Sequence, residues 1–147
     1  MATIAKRTEE TLKYNELLKD RKLNEITVTN AISHATCTTS VDLNAKAIIT
    51  FTTTGHTARM VSKFRPQCPI IATTEDEGVM RRLALVWGVY PVKVSHAGNT
   101  DEVVANSIEA AKEKNYLKDQ DLVVISAGVP NGISGTTNLI KVHTIGE

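Results

Sequence analysis

Cysteine is nearly absent: the 147 residues contain two, Cys37 and Cys68. Two lone cysteines without C-x-x-C spacing make neither a disulfide framework nor a zinc site, and they imply a reduced, cytoplasmic setting. Aromatic residues are 4% of the chain, too few for the base-stacking platforms of single-stranded nucleic-acid binders. Neither sign of charge prevails. Lys plus Arg is 17 and Asp plus Glu is 16, so the net charge is +1, with no basic field for nucleic acid or an anionic membrane. No apolar run approaches the roughly 20 residues of a membrane span, and the N-terminus lacks the apolar core of a signal peptide. There is no internal repeat and no low-complexity segment. What remains, 41% hydrophobic and 22% charged, is the composition of a soluble globular domain long enough to bury one proper core.

Taken in order, Ala2 to Asp20 reads as a helix with a thin apolar stripe of Ile4, Leu12, Leu17 and Leu18, which needs a partner surface. Lys19-Asp20-Arg21-Lys22 reads as a linker. A second helix starts between Asn24 and Thr29 and runs to about Leu43, with Val28, Ile32, Ala35 and Thr39 on one face. Its many threonines make it weak by propensity, so packing must hold it. Ala47 to Phe51 is a buried strand, followed by a polar turn and a helix with Met60, Val61 and Phe64 inward. Pro69 to Thr74 is a strand. Glu75 to Trp87 is a helix with Val79, Met80, Leu83 and Trp87 on one face, and Gly88 is placed for a left-handed cap. Val89 to Val94 is a strand in which Pro91 removes a ladder donor and marks an interruption or an edge. Asn99-Thr-Asp-Glu102 resembles a capping box opening a helix. Asp121 to Ser126 is the most apolar strand. Thr137 to His143 alternates and reads as a fifth strand, antiparallel because a turn precedes it.

The alternation predicts a three-layer α/β fold: a mostly parallel five-stranded sheet with its last strand antiparallel, helices on both faces, and an N-terminal helix. The division is residues 1–22 for the N-terminal helix and linker, and 23–147 for the α/β domain. In such sheets ligands bind beyond the carboxyl ends of the strands.

Two polar turns fall there. Thr52, Thr53, Thr54, Gly55, His56 and Thr57 join a strand to a helix N-terminus, where unpartnered N–H groups and the helix dipole favour an anion. The turn has neither the lysine of a Walker A loop nor a G-x-G-x-x-G pattern. Threonines that simply cap the helix are the competing reading. The second is formed by Gly128, Gly132 and Gly135 with Ser134, Thr136 and Thr137, where the glycines allow close backbone approach to a ligand and Gly132, Gly135 and Thr136 would close the first turn from the other side. A long connection that needs glycine for its geometry is the alternative. If their strands are neighbours, the turns share one crevice.

The other polar groups read as structural. His34 and Cys37 stand three apart on a helix but lack further metal ligands, so a packed pair is the reading. His56 can act as an acid, a base or a phosphate donor, or can be a surface histidine. Trp87 reads as core, Arg81-Arg82 as a solvated pair, and Glu109, Lys112, Glu113 and Lys114 as a wet helix face.

Four motifs in order resemble the C-terminal domain of bacterial pyruvate kinases: Ala47 to Pro66, Pro69-Ile-Ile-Ala-Thr-Thr74, Trp87-Gly-Val-Tyr-Pro-Val92 and Ser126-Ala-Gly-Val-Pro-Asn-Gly-Ile-Ser-Gly-Thr136 into Lys141-Val142. The likeness covers essentially the whole chain. Ala2 to Asp20 resembles the helix by which that enzyme's barrel hands over to this domain.

The resemblance implies a regulatory and oligomerisation domain. It implies a phosphorylated effector held between the loop Thr52–Thr57 and the loop Gly128–Thr136, and self-association through the last strand, flanked by the helix Val28–Leu43. The family's phosphoryl transfer from phosphoenolpyruvate to ADP, with Mg²⁺ and usually K⁺, resides in a separate barrel. This chain is therefore expected to need no cofactor or metal, to have no catalytic residue and to be inactive alone. Some relatives place an arginine at the start of the helix after the third strand, where this chain has Asp101 to Val104. Some place a lysine where this chain has Thr53. AMP or a sugar monophosphate is thus favoured over fructose 1,6-bisphosphate. Two other readings stay open: a small independent phosphate-ester enzyme using His56, and a purely structural oligomerisation module. No nucleic-acid or membrane partner is expected.

Overall fold

The computed structural model describes residues 1–20, 25–130, 133 and 135–147. The elements in chain order are α1 (Ala2–Glu10), α2 (Tyr14–Asp20), α3 (Val28–Asp42), β1 (Ala47–Phe51), α4 (His56–Ser62), β2 (Ile70–Thr74), α5 (Glu77–Leu83), β3 (Val89–Lys93), α6 (Thr100–Glu113), β4 (Leu122–Gly128) and β5 (Thr137–Thr144).

The five strands form one sheet in the order β3-β2-β1-β4-β5. β1 to β4 run parallel and β5 runs antiparallel to β4, as the alternation predicts. β1 and β2 are buried along their whole length, because the sheet is covered on both faces there. β3 is an edge strand, which is where Pro91 can sit without disturbing an inner ladder. Asn99 caps α6 by accepting from the Glu102 amide at 2.9 Å. The Glu102 carboxylate reaches back to the Gly98 N–H at 2.9 Å, one residue upstream of the partner a capping box would use.

Two apolar layers sandwich the sheet. On one side, Ile48, Ile70 and Val124 meet Cys37, Ala58, Val61, Phe64, Val79 and Leu83 from α3, α4, α5 and the segments after them. On the other, Ile49, Ile71, Val123 and Ile125 meet Val104 and Ala111 of α6. The chain winds outward from β1 to β3 along one face, then α6 carries it back across the other face to β4. The winding reverses between β1 and β4. That reversal is the topological switch point, where open α/β sheets leave a crevice.

Besides the helix read from Glu75 to Trp87, which spans only Glu77–Leu83, two sequence expectations change. The helix read across Ala2 to Asp20 is broken at Thr11–Lys13 into α1 and α2. No residue of α1 is buried, whereas α2 adds Leu18 to the core. The two pieces dock on Trp87, which is half-buried and not the core residue its spacing suggested. Tyr14 packs 6.2 Å from its ring, its Nε1–H donates to Glu9 Oε1 at 3.1 Å, and the Arg65 guanidinium lies 4.8 Å over it. Of the linker Lys19–Lys22 and the expected helix start at Asn24, residues 21–24 lie outside the described residues.

α3 is the second change. Its buried face is Asn30, Ser33, Thr36, Cys37 and Ser40, not Val28, Ile32, Ala35 and Thr39. Thr36 Oγ1 donates to Ile32 O at 2.7 Å and Ser40 Oγ to Cys37 O at 2.7 Å. These two hydroxyls are satisfied within their own helix, so short side chains let α3 lie close against β4 and β5, whereas the buried Ser33 Oγ has no hydrogen-bond partner among the described residues. Val28 is left 66% exposed.

Candidate functional site

β1 and β4 are direct neighbours, with Thr50 opposite Ser126, so the two polar turns that follow them open into one narrow crevice. Thr52, Thr53, Thr54, His56 and Thr57 line it from the β1 side, and Gly128, Ile133, Gly135 and Thr136 from the β4 side. Gly132 lies outside the described residues. Of the described lining residues none is a carboxylate.

The turn is tightly made. Gly55 takes φ +87°, a left-handed conformation natural to glycine, and serves as the N-cap of α4. Its N–H donates to Thr52 Oγ1 at 2.8 Å. Thr57 Oγ1 shares a 2.8 Å hydrogen bond with Thr137 Oγ1, both buried. Thr52 and Thr57 therefore frame the turn, while Thr53 and Thr54 are exposed and His56 is half-buried at its mouth. Arg59, one turn along α4, folds back so that its Nη1 lies 3.4 Å from Thr54 O. Its position was not singled out by the sequence, because a cation inside a short helix reads as surface.

Three helix N-termini face this end of the sheet and differ in charge. Asp76 accepts from Val79 N at the start of α5, with Glu77 in its first turn. Asn99 caps α6, with Asp101 and Glu102 in its first turn. α4 has no side-chain cap and no acid in its first turn. Acids at the other two already answer the dipole there, whereas the first turn and cap of α4 carry none.

The β4–β5 connection is held at three points. Asn138 clamps its start: Val129 N donates to Asn138 Oδ1 at 2.9 Å and Asn138 Nδ2 donates to Val129 O at 2.7 Å. Thr29 of α3 donates to Gly135 O at 3.2 Å. Thr137 is held by Thr57. Gly128 is required by space: a Cβ there would lie 2.6 Å from Thr136 O. The sequence signal for Asn138 was absent, since an asparagine inside an alternating strand reads as an outward polar residue.

His34 and Cys37 are not brought together as ligands. His34 packs edge-on at 5.3 Å against Phe64, and Cys37 is buried with its sulfur 3.6 Å from Val61 O. No group of three His, Cys, Asp or Glu able to hold a metal occurs among the described residues. Burial raises the Cys68 thiol above its ordinary value. Among the described residues no helix is long and apolar enough to cross a membrane.

A doubly wound sheet with a turn-lined crevice at its switch point is the architecture of small-ligand-binding α/β domains. Residues 30–143 match the family model described as "Pyruvate kinase, alpha/beta domain", and the chain belongs to that family. It is 49% identical over 146 residues to a pyruvate kinase of Clostridium acetobutylicum, covering 99% of this chain and 31% of that protein. To a pyruvate kinase of Geobacillus stearothermophilus it is 47% identical over 148 residues, covering 100% of this chain and 25% of that one. The crystal structure of a pyruvate kinase from Cryptosporidium parvum superposes with a TM-score of 0.80 at 31% identity, covering 92% of this chain and 27% of that chain. The chain thus spans between a quarter and a third of the length of these relatives, as their C-terminal α/β domain does.

Proposed function

We propose that this chain serves as the regulatory and oligomerisation domain of a pyruvate kinase and binds a phosphorylated effector in the crevice between β1 and β4. The phosphate sits on the Thr52–Thr57 turn, with Gly135 and Thr136 closing over it and Gly132 in the same loop. The observation that carries the reading is the meeting of an uncapped, acid-free helix start with a glycine-bearing loop at the switch point. The backbone N–H groups at the start of α4, the exposed hydroxyls of Thr53 and Thr54, and His56 at the mouth supply donors of the right kind for an anion.

Phosphoryl transfer from phosphoenolpyruvate to ADP belongs, on this reading, to the remainder of a full-length enzyme, and a coupled assay of this chain alone is expected to show no turnover. Effector binding acts by favouring one arrangement of domains, which requires that the ligand bind that arrangement better. The crevice offers no carboxylate to orient His56 among its described lining residues, and this favours a binding site over a hydrolytic one.

Calorimetric titration with AMP, ribose 5-phosphate and fructose 1,6-bisphosphate tests the proposal. The expected affinity is roughly micromolar to millimolar, about 4–8 kcal/mol. Thr54→Ala weakens whichever ligand binds, and Gly55→Val weakens it further. Absence of binding by all three at millimolar concentration would leave the turn as a helix start and nothing more.

A further inference from the structure

Among the described residues, three buried side-chain oxygens have no hydrogen-bond partner in the protein: Ser33 Oγ, Thr50 Oγ1 and Ser126 Oγ. All three residues are 0% exposed. A hydroxyl in that position has lost its solvent and gained nothing in exchange, and folded proteins hold few of them. Here they fall at one place in the fold.

Thr50 of β1 and Ser126 of β4 are register partners on neighbouring parallel strands, so their side chains leave the same face of the sheet side by side. That face is the one under α3 and α4, because Ile48 and Val124, two residues earlier on the same strands, belong to the apolar layer there. Cys37 of α3 belongs to that layer too, and Ser33 lies one helical turn before it on the buried face of α3. α3 runs against the direction of β1. Thr29, near its start, donates to Gly135 O beyond the carboxyl end of β4 at 3.2 Å, and Ser40 O, near its end, accepts from Ala45 N at 2.9 Å just ahead of β1. Ser33 is one turn in from Thr29, about 6 Å. Ser126 is two residues in from Gly128, the end of β4, also about 6–7 Å. The helix thus brings Ser33 to the depth of Thr50 and Ser126. The neighbours are small: Thr50 has Ala72 as its partner on β2, and Ala58 of α4 is buried in the same layer.

We propose that Ser33, Thr50 and Ser126 enclose a site for one buried water molecule, which bridges α3 to β1 and β4 at the switch point. Each hydroxyl offers one donor and two acceptor positions, and a buried water typically makes about three hydrogen bonds. An ion of either sign would meet three neutral hydroxyls with no counter-charge among them, and an apolar guest would leave all three unpaired. Water is the one small ligand that satisfies the set. The bridge fastens three elements together: β1 leads into the Thr52–Thr57 turn, β4 into the loop after Gly128, and α3 holds Gly135 through Thr29. It does so whatever the crevice above it binds.

A high-resolution crystal structure of the chain tests the site directly. One ordered water within hydrogen-bond distance of at least two of the three hydroxyls is expected. No water there, or hydroxyls bonded to one another or to the backbone in its place, overturns the proposal. Thermal unfolding supplies a second test whose sign decides. Thr50→Val keeps the shape of the side chain and Ser126→Ala removes only the hydroxyl. If the hydroxyls are satisfied by water, each change takes away a hydrogen bond, and Tm is expected to fall by about 3–6 °C. If they are unpaired, each change removes a buried cost. A Tm that stays level or rises in both variants therefore overturns the site. Ser33→Ala also gains helix propensity in α3, so it is read in combination. Ser33→Ala with Thr50→Val is expected to shift Tm by less than the sum of the two single changes, because both act on the same water. Strict additivity would mean that Ser33 and Thr50 share no ligand and would overturn the bridge.

Discussion

Thr57 and Thr137, 80 residues apart in the chain, share a buried hydrogen bond of 2.8 Å between their hydroxyls. It ties the first turn of α4 to the first residue of β5, across the switch point. Replacing one partner with valine leaves the other hydroxyl buried and unpaired, which costs about 1–3 kcal/mol. Replacing both removes the polar pair and keeps the shape, so the double variant is expected to recover much of the loss. Chemical denaturation of Thr57→Val, Thr137→Val and the double variant measures the coupling. Additive losses would show that the bond contributes little.

Gly128 and Gly135 are both required, for different reasons. A Cβ at Gly128 would lie 2.6 Å from the Thr136 carbonyl oxygen, so β4 and the loop must separate to admit it. At Gly135 nothing lies within 4 Å, but φ is +81°. Gly128→Ala is expected to cost about 1–3 kcal/mol through overpacking, and Gly135→Ala about 1–2 kcal/mol through backbone conformation. Asparagine, which tolerates the left-handed region, should be milder than alanine at Gly135 and no milder at Gly128. Melting temperatures of the four variants separate the two causes.

Self-association is expected through β5 and the outward side of α3. Among the described residues β5 pairs only with β4, leaving its other edge without a strand partner, and Val28 on α3 is 66% exposed with Val142 on β5 at 43%. Light scattering at high protein concentration is expected to give a dimer mass. Val28→Lys, on the surface, and Ile140→Pro, in the strand, are expected to give monomers. A parent that stays monomeric, or a dimer indifferent to Val28→Lys, would count against this face.

His96 should titrate above the ordinary imidazole value near 6.5, because its hydrogen bond to Glu75 and the charge of that carboxylate favour the protonated ring. A raised value means that the His96–Glu75 pairing is present at low pH and is lost as pH rises through the folded-state value. The ring is fully exposed, so overall stability is expected to be flat across that window. An NMR titration should show the midpoint falling in Glu75→Gln. An unchanged midpoint would mean that the two groups do not interact in solution.

The sequence by itself determined the alternation of strand and helix, and with it the layered sheet. Period and punctuation carry that information locally. β1 is a short, mostly apolar run ending at a polar turn, Pro91 bars β3 from the sheet interior, and Asn99 supplies a cap whose oxygen meets the Glu102 amide. The Thr52–Thr57 turn was legible for the same reason, since a strand end, a glycine and a helix start are contiguous in the chain.

The tertiary structure alone decided which face of α3 goes inward. Thr36 and Ser40 spend their hydroxyl protons on their own helix carbonyls and so pack as small apolar residues, which hydrophobic spacing cannot reveal. It also decided that a second cavity, of about 500 Å³, lies beside the crevice. Phe51 and Thr53, Glu75 and Asp76, and His96 end or follow three different strands, and only the order β3-β2-β1 brings them to one wall. Strand order is a matter of long-range pairing, with parallel partners such as Ile48 and Ile70 separated by a whole helix, and no local pattern of residues encodes it.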